Sequence, residues 1–562
     1  MEAGLHDLLL IFALQNAVQH KGLPKAGTVL ARVLGKYPEY RPRAKELFVH
    51  MEEIVAEIDL LSPDQRKSRL IDLAPDLAAM LEKPHEHVKQ LPPLDGAGSG
   101  VVMRFAPNPS GPLHLGHARA AVLNDAYVRR YGGKYVLRIE DTDPKRVDPA
   151  AYSMVAEDIA WLGIRPDVVV YQSDRLDTYY DHCRELIERA GAYVCTCENE
   201  RWKELKQAKI ACPCRSRMID ENLDLWERML AGEFSEGEAS VRVITDLDHP
   251  DPAMRDFPAF RILKTPIHPR IEDAVVYPLM NFSVTIDDHL LGITHVIRGK
   301  DHIANTRRQR YIFDHFGWTP PDYRHYGRMG IEGVVLSTSQ MRAGIAEGTY
   351  TGWDDIRLGT LRAFARRGIQ PQAVREAVLE IGIGETDISF SWDNLYAKNR
   401  AVVDPGACRW SFVPDPVKVR VEGATPRRAK AMLHPADPAR GHRVLAFSEE
   451  IYLPRHELLH NHQAIRLKDL FNIDPSGWEG GAVRFTGESL ADARSKKAPI
   501  VQWLPVEGAK PCTLHTPEGD EQGFCEPGVT VETGNVIQFE RVGFARVDAV
   551  TEDRVVAYFT HR

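Results

Sequence analysis

The chain has 562 residues, of which 43% are hydrophobic and 27% are charged, a composition typical of ordinary globular proteins. This length exceeds what one hydrophobic core can organise, so we expect three to five domains. The formal net charge of −8 at pH 7 excludes nucleic-acid binding through bulk basicity, although it leaves room for a local basic patch.

The first residues give no indication of a membrane anchor or a secretory signal. Leu8–Leu14 is the longest strongly apolar run near the start, and it is much too short to cross a bilayer. Acidic residues precede it, where a secretory signal carries positive charge. We therefore expect a cytoplasmic protein with no membrane partner.

Residues 1–98 are predicted to form a helical N-terminal extension that ends in a linker. Apolar residues recur there at alternating steps of four and three, which places them on one stripe of an amphipathic helix. The stripe consists of Leu47, Met51, Ile54, Ile58 and Leu61. Pro92–Gly100 is rich in proline and glycine and is predicted to be flexible. Packing or partner binding is the expected role of this region, because it contains no catalytic cluster.

Residues 99–192 are predicted to form the first half of an α/β domain. Val101–Phe105 is typical of a short buried strand, and a helix is predicted from about His114 to Tyr131. Two glycines end that helix, and Lys134–Asp141 is a second strand. Strand, turn, helix and strand make a βαβ unit, in which a ligand belongs at the carboxyl ends of the strands.

Ser110–His117, with the sequence SGPLHLGH, places two histidines at the start of the predicted helix. Backbone N–H groups and the positive end of the helix dipole face outward there, so this junction suits an anion. His114 and His117 can donate hydrogen bonds to the anion, and Gly116 keeps side-chain bulk away from the backbone. The alternative is an ordinary capping or surface role for both histidines.

Residues 193–290 interrupt the α/β pattern and contain four closely spaced cysteines. Their spacing is C-x-C, fourteen residues, C-x-C, and such clustering in a cytosolic chain favours a metal over disulfides. Four thiolates can enclose a tetrahedral Zn²⁺, which would be structural; four reduced thiols are the alternative. The candidate ligands are Cys195, Cys197, Cys212 and Cys214.

The α/β pattern returns in residues 291–345. Thr294–His302 is predicted to contain a strand that ends at Arg298, followed by Gly299 and a helix. Residues 346–400 are predicted to form a helical connecting domain. Residues 401–562 alternate apolar and polar positions between turn signals, which predicts barrels or sandwiches of antiparallel strands.

Four motifs together resemble class I aminoacyl-tRNA synthetases of the glutamyl and glutaminyl branch. Arg104–Ala121 resembles the first signature, and Arg138–Arg146 (RIEDTDPKR) follows where that branch has it. Tyr277–His302 is also similar, and Val334–Met341 stands in the place of the second signature. The resemblance covers nearly the whole chain and is to the archaeal type of glutamyl-tRNA synthetase. It implies a multidomain α/β plus β fold: a Rossmann-like catalytic domain with an insertion, an N-terminal helical domain and C-terminal antiparallel β-barrels.

The resemblance implies ATP-dependent activation of L-glutamate, followed by transfer of the glutamyl group to the terminal adenosine of tRNA(Glu). Some archaeal-type members also charge tRNA(Gln). Mg²⁺ would share the charge of the nucleotide, and a monomer is expected. The insertion would meet the acceptor end of the tRNA, and residues 401–562 its anticodon. Whether the basic segments Asn305–Tyr311 and Arg427–Arg443 contact phosphates or form solvated faces stays open.

The matching motifs also imply site residues. Those implied for catalysis are His114, His117, Ser337, Ser339 and Arg342. Those implied for glutamate are Arg104, Glu140, Tyr277, Asn281 and Arg298. The two arginines suit the substrate because a planar guanidinium group matches a carboxylate in a bidentate manner. Those implied for ATP are Ala106, Asn108, Gly116, Gly299, Asp301 and Leu336, with both histidines.

The second signature departs from the family form K-M-S-K-S, whose lysines neutralise the departing triphosphate. Val335–Ser339 contains no lysine, and Gln340 follows it. The positive charge must therefore come from Arg342, Mg²⁺ or elsewhere. Two alternatives to a glutamyl-tRNA synthetase stay open: a glutaminyl-tRNA synthetase, and a tRNA-binding paralogue with weakened activation.

Overall fold

The computed structural model describes residues 3–20, 23–24, 26–74, 91–98, 100–461 and 463–562. The chain divides into two units, Met1–Gln90 and Leu91–Arg562. None of the helices in this described part combines the length and the apolar character that a bilayer crossing needs.

The first unit is helical, as predicted. Its described helices are α1 (Ala3–His20), α2 (Ala26–Lys36), α3 (Ala44–Asp59) and α4 (Pro63–Leu73). The apolar stripe is buried on α3 from Leu47 to Ile58, whereas Leu61 follows the end of that helix and is only partly buried. Ser62 and Gln65 form a capping box at the start of α4, which satisfies backbone donors there.

The second unit begins with the predicted βαβ unit. Its first elements are β1 (Val102–Phe105), α5 (Leu115–Tyr131), β2 (Lys134–Ile139), α6 (Ala151–Trp161), β3 (Val168–Tyr171) and α7 (Leu176–Glu188). Gly132 ends α5 in the left-handed conformation, with φ of 66°. The sequence predicts a flexible linker, but its described part packs against the rest of the second unit. Leu94 is buried, and the Tyr127 hydroxyl donates to the Pro92 carbonyl.

The insertion has an antiparallel sheet of its own. Its elements are β4 (Ala192–Cys195), α8 (Asn199–Gln207), α9 (Ile219–Leu230), β5 (Ser240–Val243), β6 (Phe257–Ile262), β7 (Val276–Pro278) and α10 (Met280–Leu290). The four strands pair in sequence order. Their apolar side packs with Trp226 of α9 and Phe282 of α10 in one core, so α10 carries the insertion back to the main sheet.

The chain then returns to the parallel sheet. The next elements are β8 (His295–Gly299), α11 (Ile303–Phe316), β9 (Asp322–Tyr326), β10 (Met329–Ile331) and α12 (Thr338–Ala346). The main sheet has the order β3-β2-β1-β8-β9, and every neighbouring pair is parallel. The predicted Rossmann-like arrangement is confirmed. All five strands therefore end at one edge, which is where such sheets bind ligands.

The connecting region is mostly helical. It comprises α13 (Leu361–Arg367), α14 (Pro371–Ile381), β11 (Ile388–Phe390) and α15 (Trp392–Val403). The sequence did not predict β11, a short strand that pairs in parallel with β10. Arg119 of α5 is buried and donates hydrogen bonds to the carbonyls of Gly327 and Gly382. These bonds fix the connecting helices to the first helix of the βαβ unit.

The C-terminal region is built of β-strands, as predicted. Its strands are β12 (Arg409–Trp410), β13 (Phe412–Pro414), β14 (Pro416–Glu422), β15 (Arg427–Met432), β16 (His442–Phe447), β17 (Glu450–Pro454), β18 (Ile465–Leu467), β19 (Asn472–Asp474), β20 (Ala482–Gly487), β21 (Ile500–Val501), β22 (Leu504–Pro505), β23 (Lys510–Thr516), β24 (Gly519–Cys525), β25 (Val536–Phe539), β26 (Gly543–Val550) and β27 (Val555–His561). Two short helices are α16 (Arg455–His460) and α17 (Leu490–Ser495).

These strands form two seven-stranded sheets and a two-stranded ribbon. Most neighbours are antiparallel, but four pairs are parallel: β12–β25, β14–β20, β18–β21 and β23–β27. Each parallel pair joins strands that are distant in sequence, since a parallel partner needs a long crossover connection. Alternation of apolar and polar residues predicts strands but not which distant strands meet.

Candidate active site

A cavity of about 210 Å³ opens at the carboxyl edge of the parallel sheet. Its walls come from the ends of β1, β2 and β8, from the start of α5, and from α10. Eight of the predicted site residues line it: Arg104, Ala106, Asn108, Gly116, His117, Glu140, Arg298 and Gly299. Residues that are almost 200 positions apart in sequence therefore share one cavity.

The two histidines make reciprocal contacts at the start of α5. Nδ1 of His114 accepts a hydrogen bond from the Gly116 N–H at 3.0 Å, and Nδ1 of His117 accepts from the His114 N–H at 3.3 Å. In both rings the proton must therefore be on Nε2, which remains free to donate. Removal from water lowers the pKa of His117 to about 4 and that of His114 well below its usual value. Both imidazoles are neutral donors at pH 7.

Two arginines of the cavity region share one buried carboxylate. Arg104 of β1 donates to both oxygens of Asp288, at 3.2 and 3.3 Å. Arg138 of β2 donates to Asp288 at 2.6 Å and to Glu140 at 3.1 Å. Burial alone would raise the pKa of Asp288, but the two guanidinium groups hold it below its usual value. The charges of Arg104 and Arg138 are thus largely compensated by the protein.

Arg298 of β8 differs, because its partners are neutral. Its Nη2 donates to the Thr306 hydroxyl at 2.5 Å and to Oε1 of Gln309 at 2.9 Å. Its Nε is buried and finds no hydrogen-bond partner in the part of the chain that the structure describes, and only 7% of the residue is exposed. Burial and the charge of Arg104 lower the pKa of Arg298 to about 10. A buried cation without a counter-ion is costly unless a ligand supplies the anion.

Polar groups of Glu140 and Asn108 complete the cavity wall. Nδ2 of Asn108 donates to the Glu140 carbonyl at 2.8 Å, while its buried Oδ1 has no hydrogen-bond partner among the described residues. The Glu140 N–H donates to the Pro107 carbonyl at 3.0 Å. These two hydrogen bonds therefore fix the first-signature turn to the end of β2. The Oδ1 atom of Asn108 can therefore accept a hydrogen bond from a ligand.

Not all predicted residues reach this cavity wall. Tyr277 is buried and its hydroxyl donates to the Ala274 carbonyl at 3.0 Å. Asn281 lies behind the wall, where Nε2 of Gln309 donates to its Oδ1 at 3.4 Å. Asp301 folds back on Gly299, so that a Cβ at Gly299 would lie 2.3 Å from Oδ1 of Asp301. Others outside the lining are His114, Leu336, Ser337, Ser339 and Arg342.

The second signature packs against the first-signature turn. A Cβ at Gly111 would lie 2.8 Å from Cγ2 of Thr338, so glycine is required for this close approach. Ser337 caps α12, and its hydroxyl lies 3.0 Å from that of Ser339. Arg342 is not free: it donates to the Ser110 carbonyl and forms an ion pair with Asp148 at 3.1 Å.

Sequence reasoning missed the residues that hold the cavity's arginines in place. Asp287 and Asp288 are both buried on α10, and Asp287 accepts from Arg175 at 2.7 Å and from Tyr179 at 2.7 Å. Thr306 and Gln309 of α11 were also not assigned. The available signal was the pair of adjacent aspartates inside the apolar run FSVTIDDHLLGI. On an exposed helix face, polar residues recur every three or four positions instead of standing alone as a pair.

The four clustered cysteines come together in the insertion. All four Sγ atoms lie within 4.8 Å of one another. Three separations are 3.7 Å for Cys195–Cys212, 3.8 Å for Cys197–Cys212 and 3.6 Å for Cys197–Cys214. Sulfurs bound to a tetrahedral zinc at about 2.3 Å are themselves about 3.8 Å apart. The donor set and its spacing fit Zn²⁺.

Comparison with known families agrees with this geometry. Residues 100–405 match the family "tRNA synthetases class I (E and Q), catalytic domain". Residues 407–485 and 500–548 match two anti-codon binding domains of the same class. The matched catalytic domain contains the cavity, the second signature and the cysteine cluster.

Relatives of similar length resemble the chain from end to end. The glutamate–tRNA ligase of Methanoculleus marisnigri is 63% identical over 100% of both chains. That of Methanospirillum hungatei is 60% identical over 99% of this chain and 100% of the relative, and that of Methanocaldococcus jannaschii is 48% identical over the same shares. The chain belongs to the glutamate–tRNA ligase family of class I aminoacyl-tRNA synthetases.

Proposed function

We propose that the cavity binds L-glutamate beside ATP and forms glutamyl-adenylate. An oxygen of the α-carboxylate of glutamate attacks the α-phosphorus of ATP, and the bond to the departing pyrophosphate breaks. His114 and His117 would stabilise the charge that develops on the phosphate oxygens, as neutral Nε2–H donors. The first N–H groups of α5 already donate to Gly359, to the His114 carbonyl and to the imidazoles, so the helix would contribute its dipole. No nucleophilic side chain is required, so positioning and electrostatics would provide the catalysis.

The observation that carries this proposal is that Arg298 is buried and forms no ion pair with any carboxylate in the described part of the chain. Arg104 and Arg138 already share Asp288, whereas the hydrogen-bond partners of Arg298 among the described residues are all neutral. The side-chain carboxylate of glutamate would supply the missing anion, and the neutral amide of glutamine would not. Glu140 would accept from the substrate ammonium. Arg104 would present its remaining donor to a carboxylate, and Tyr277 and Asn281 would support the site from behind.

The nucleotide contacts follow from the first-signature turn and the end of β8. Ala106, Asn108, Gly116 and Gly299 line the cavity, which supports their assignment to ATP. Leu336 and Asp301 would approach the nucleotide from outside the present lining. Ser337, Ser339 and Arg342 would contact the triphosphate, and Mg²⁺ bound with ATP would share its charge.

The second step would transfer the glutamyl group to tRNA. The 2′-hydroxyl of the terminal adenosine attacks the carbonyl carbon of the adenylate, and AMP leaves. We infer tRNA(Glu) as the acceptor, and tRNA(Gln) as a second acceptor. The sheets of residues 401–562 would bind the anticodon, consistent with the domains they match. We infer that the chain acts as a monomer.

We also infer that the cysteine cluster holds a structural Zn²⁺. The sulfur spacing supports it, and the metal would fix β4 to the segment that follows α8. The ligands would be Cys195, Cys197, Cys212 and Cys214. No step of the proposed reaction passes through this metal.

One aminoacylation experiment tests the proposed reaction. Purified tRNA(Glu) and tRNA(Gln) are each offered glutamate and glutamine with ATP and Mg²⁺. We expect charging of both tRNAs with glutamate and none with glutamine. Charging with glutamine would indicate the glutaminyl activity instead. Tight tRNA binding without any charging would indicate a paralogue that has lost activation, for which the lysine-free second signature is the motivating observation.

A further inference from the structure

His325 lies outside the cavity lining, but a single hydroxyl group joins it to Arg298. The two residues are register partners on the neighbouring parallel strands β9 and β8, so their side chains leave the sheet on the same face. Nε2 of His325 lies 2.9 Å from Oγ1 of Thr306. The same Oγ1 accepts from Nη2 of Arg298 at 2.5 Å. The imidazole therefore touches the group that holds the guanidinium.

The Thr306 hydroxyl has one proton and three polar neighbours. Besides Arg298 and His325, the His302 carbonyl lies 3.2 Å from its Oγ1. A guanidinium group can only donate, so the hydroxyl proton goes to the His302 carbonyl or to Nε2 of His325. In both arrangements these two neighbours fix the rotation of the hydroxyl and direct a lone pair of its oxygen at Nη2. The imidazole thus helps to orient the acceptor that Arg298 meets.

The imidazole adds no second charge beside Arg298 in the free chain. Burial lowers the pKa of His325, and the charges of Arg298 and His302 lower it further. The ring is therefore neutral at pH 7. It contributes a hydrogen bond to the Thr306 hydroxyl and leaves the guanidinium as the cation that a ligand meets.

Two further contacts fix the guanidinium group of Arg298. Its central carbon lies 4.8 Å from the centre of the Tyr323 ring, which precedes His325 by two residues and so lies on the same face of β9. Gln309, three residues after Thr306 on α11, accepts from Nη2 at 2.9 Å. Within the described part of the chain, both hydrogen bonds of Arg298 start from Nη2. A ligand in the cavity therefore meets Nε and Nη1.

We propose that Thr306 and His325 are positioning residues for glutamate, which hold Nη2 of Arg298 so that its other donors face the side-chain carboxylate of the substrate. This inference rests on the proposed function, because it takes that carboxylate to be the anion beside Arg298. An arginine side chain has many rotamers, and a strong hydrogen bond needs a defined direction. Fixing the guanidinium before the ligand arrives removes this ordering cost from binding.

The first test is Thr306→Val, which keeps the shape of the side chain and removes its hydroxyl. We expect the KM for glutamate to rise about tenfold, because a hydrogen bond to a charged group is lost and Arg298 is no longer held. The kcat at saturating glutamate and the KM for ATP should change little, which also shows that the variant is folded. Thr306→Ser restores the hydroxyl and should return the KM for glutamate towards the wild-type value.

The second test changes His325 and leaves the hydroxyl in place. His325→Leu should raise the KM for glutamate about threefold, because the Thr306 hydroxyl loses the partner that orients it. The amide of His325→Gln can take the place of Nε2 and should restore most of the affinity. If His325 acted through packing alone, the Leu and Gln variants would have the same KM, and this result contradicts the inference.

A double variant shows whether the effect passes through Arg298. Thr306→Val combined with Arg298→Gln should have the same KM for glutamate as Arg298→Gln alone, because the guanidinium that the hydroxyl holds is already gone. If the two changes raise the KM additively, Thr306 acts independently of Arg298, and the inference is wrong.

The matched control is Thr285→Val on α10. Thr285 is buried, and its hydroxyl donates to the Asn281 carbonyl at 2.7 Å, four residues earlier in its own helix. The Thr306 hydroxyl has the same relation to the His302 carbonyl, so the two substitutions remove similar groups. We expect the wild-type KM for glutamate in the control. An equal rise of this KM in both valine variants overturns the inference.

The same assay separates this inference from the proposed function. If the wild-type chain charges tRNA with glutamate and Thr306→Val keeps the wild-type KM for glutamate, only the positioning role fails. If the wild-type chain charges no tRNA with glutamate, the proposed function and the positioning role both fail.

Discussion

The imidazole rings of His114 and His117 stack with their centroids 3.8 Å apart, and the His114 N–H donates to Nδ1 of His117. Each ring thus uses one nitrogen to hold the start of α5 and leaves Nε2–H for a ligand. Because burial lowers the pKa of His117 to about 4, the ring carries no charge near neutral pH before ligands bind. The two histidines therefore donate hydrogen bonds and shape the binding surface, and neither acts as a base.

His117→Ala should lower kcat on the order of 100-fold, because one donor to the transition state is removed. The KM for glutamate should change little, since the hydrogen bond found for His117 in the described residues is to the His114 N–H and not to a residue assigned to that substrate. His117→Asn should restore part of kcat, and its pH profile between 6 and 8 should have the same shape as that of the wild type. Steady-state aminoacylation at several pH values measures both. If kcat of the wild type has an inflection near pH 6.5 and kcat of the Asn variant has none, His117 titrates in that range, which contradicts its assignment as a neutral donor.

Arg298→Gln should raise the KM for glutamate about 30-fold or more, the usual result of removing one partner of a buried charge pair. The KM for ATP should stay close to the wild-type value. Arg324→Gln is the matched control, because Arg324 lies on neighbouring β9 but is partly exposed and pairs with Asp95 and Asp322. Equal KM values for glutamate in the Arg298 variant and the wild type would remove the specificity argument.

Cys214→Ser should reduce the zinc content measured by elemental analysis from one ion per chain towards zero. Thermal unfolding should begin at lower temperature, because metal binding contributes to folding. Cys408→Ser is the control, since Cys408 is a free cysteine outside the cluster. A wild-type chain purified without chelators that contains no zinc, and whose unfolding does not respond to added zinc, contradicts the metal assignment.

The sequence could predict the parts of the site that depend on local signals. A strand, a glycine-bearing turn and a helix start are each determined within a few residues, and this placed His114, His117 and Gly116 correctly relative to α5. The neighbours of Arg104 were not predictable in this way. Asp288 is 184 residues from it in sequence, and the two meet only because α10 packs beside β1.

Burial is the second property that the sequence did not reveal. An aspartate on a helix is usually solvated, and only the apolar residues around the pair in α10 indicated that both carboxylates are buried. The same holds for Arg342, which counted as the nearest cation of the second signature. Only the fold shows that Asp148 already pairs with it. Long-range parallel pairs such as β14–β20 were missed for the same reason, since alternation fixes a strand but not its partner.

Asp158 gives the stability of the fold a specific pH dependence. Its side chain is buried and accepts from the Leu113 N–H at 2.7 Å, directly before His114. Burial raises its pKa to about 7, although this hydrogen bond and Arg362 oppose the rise. A carboxyl with a raised pKa stabilises the folded state fully below its unfolded pKa near 4, and this stabilisation is lost as the pH rises to about 7.

Asp158→Asn should therefore gain stability relative to the wild type between pH 5 and pH 8, by on the order of 3 kcal/mol. The measurement is the difference in Tm between variant and wild type at each pH. The lowered pKa of His117 acts in the opposite sense, with stability lost as the pH falls from about 6.5 towards 4, and cancels in this difference. Glu157→Gln removes an exposed neighbouring charge that also raises the pKa of Asp158, so it should show a smaller trend of the same sign. A Tm difference that is constant with pH contradicts the raised pKa.

Gln340→Lys should increase kcat, because it places a cation where the second signature of this chain has none. In Val334–Arg342 the only cation is Arg342, which is bound to Asp148 and to the Ser110 carbonyl. Gln340 is exposed near the start of α12, next to Ser337 and Ser339, so a lysine there could reach the departing pyrophosphate. We expect an increase of about tenfold, with a smaller change in the KM for glutamate.

Single-turnover charging measures this effect on the chemical step rather than on product release. Gln340→Met keeps the length of the side chain without the charge, and it should not exceed the wild-type rate. Asp148→Asn gives an independent check, because release of Arg342 should raise the rate in the wild-type background and add less in the Gln340→Lys background. If Gln340→Lys and Gln340→Met react at the same rate, the triphosphate obtains its positive charge from elsewhere, and the charge deficit inferred for this signature does not limit catalysis.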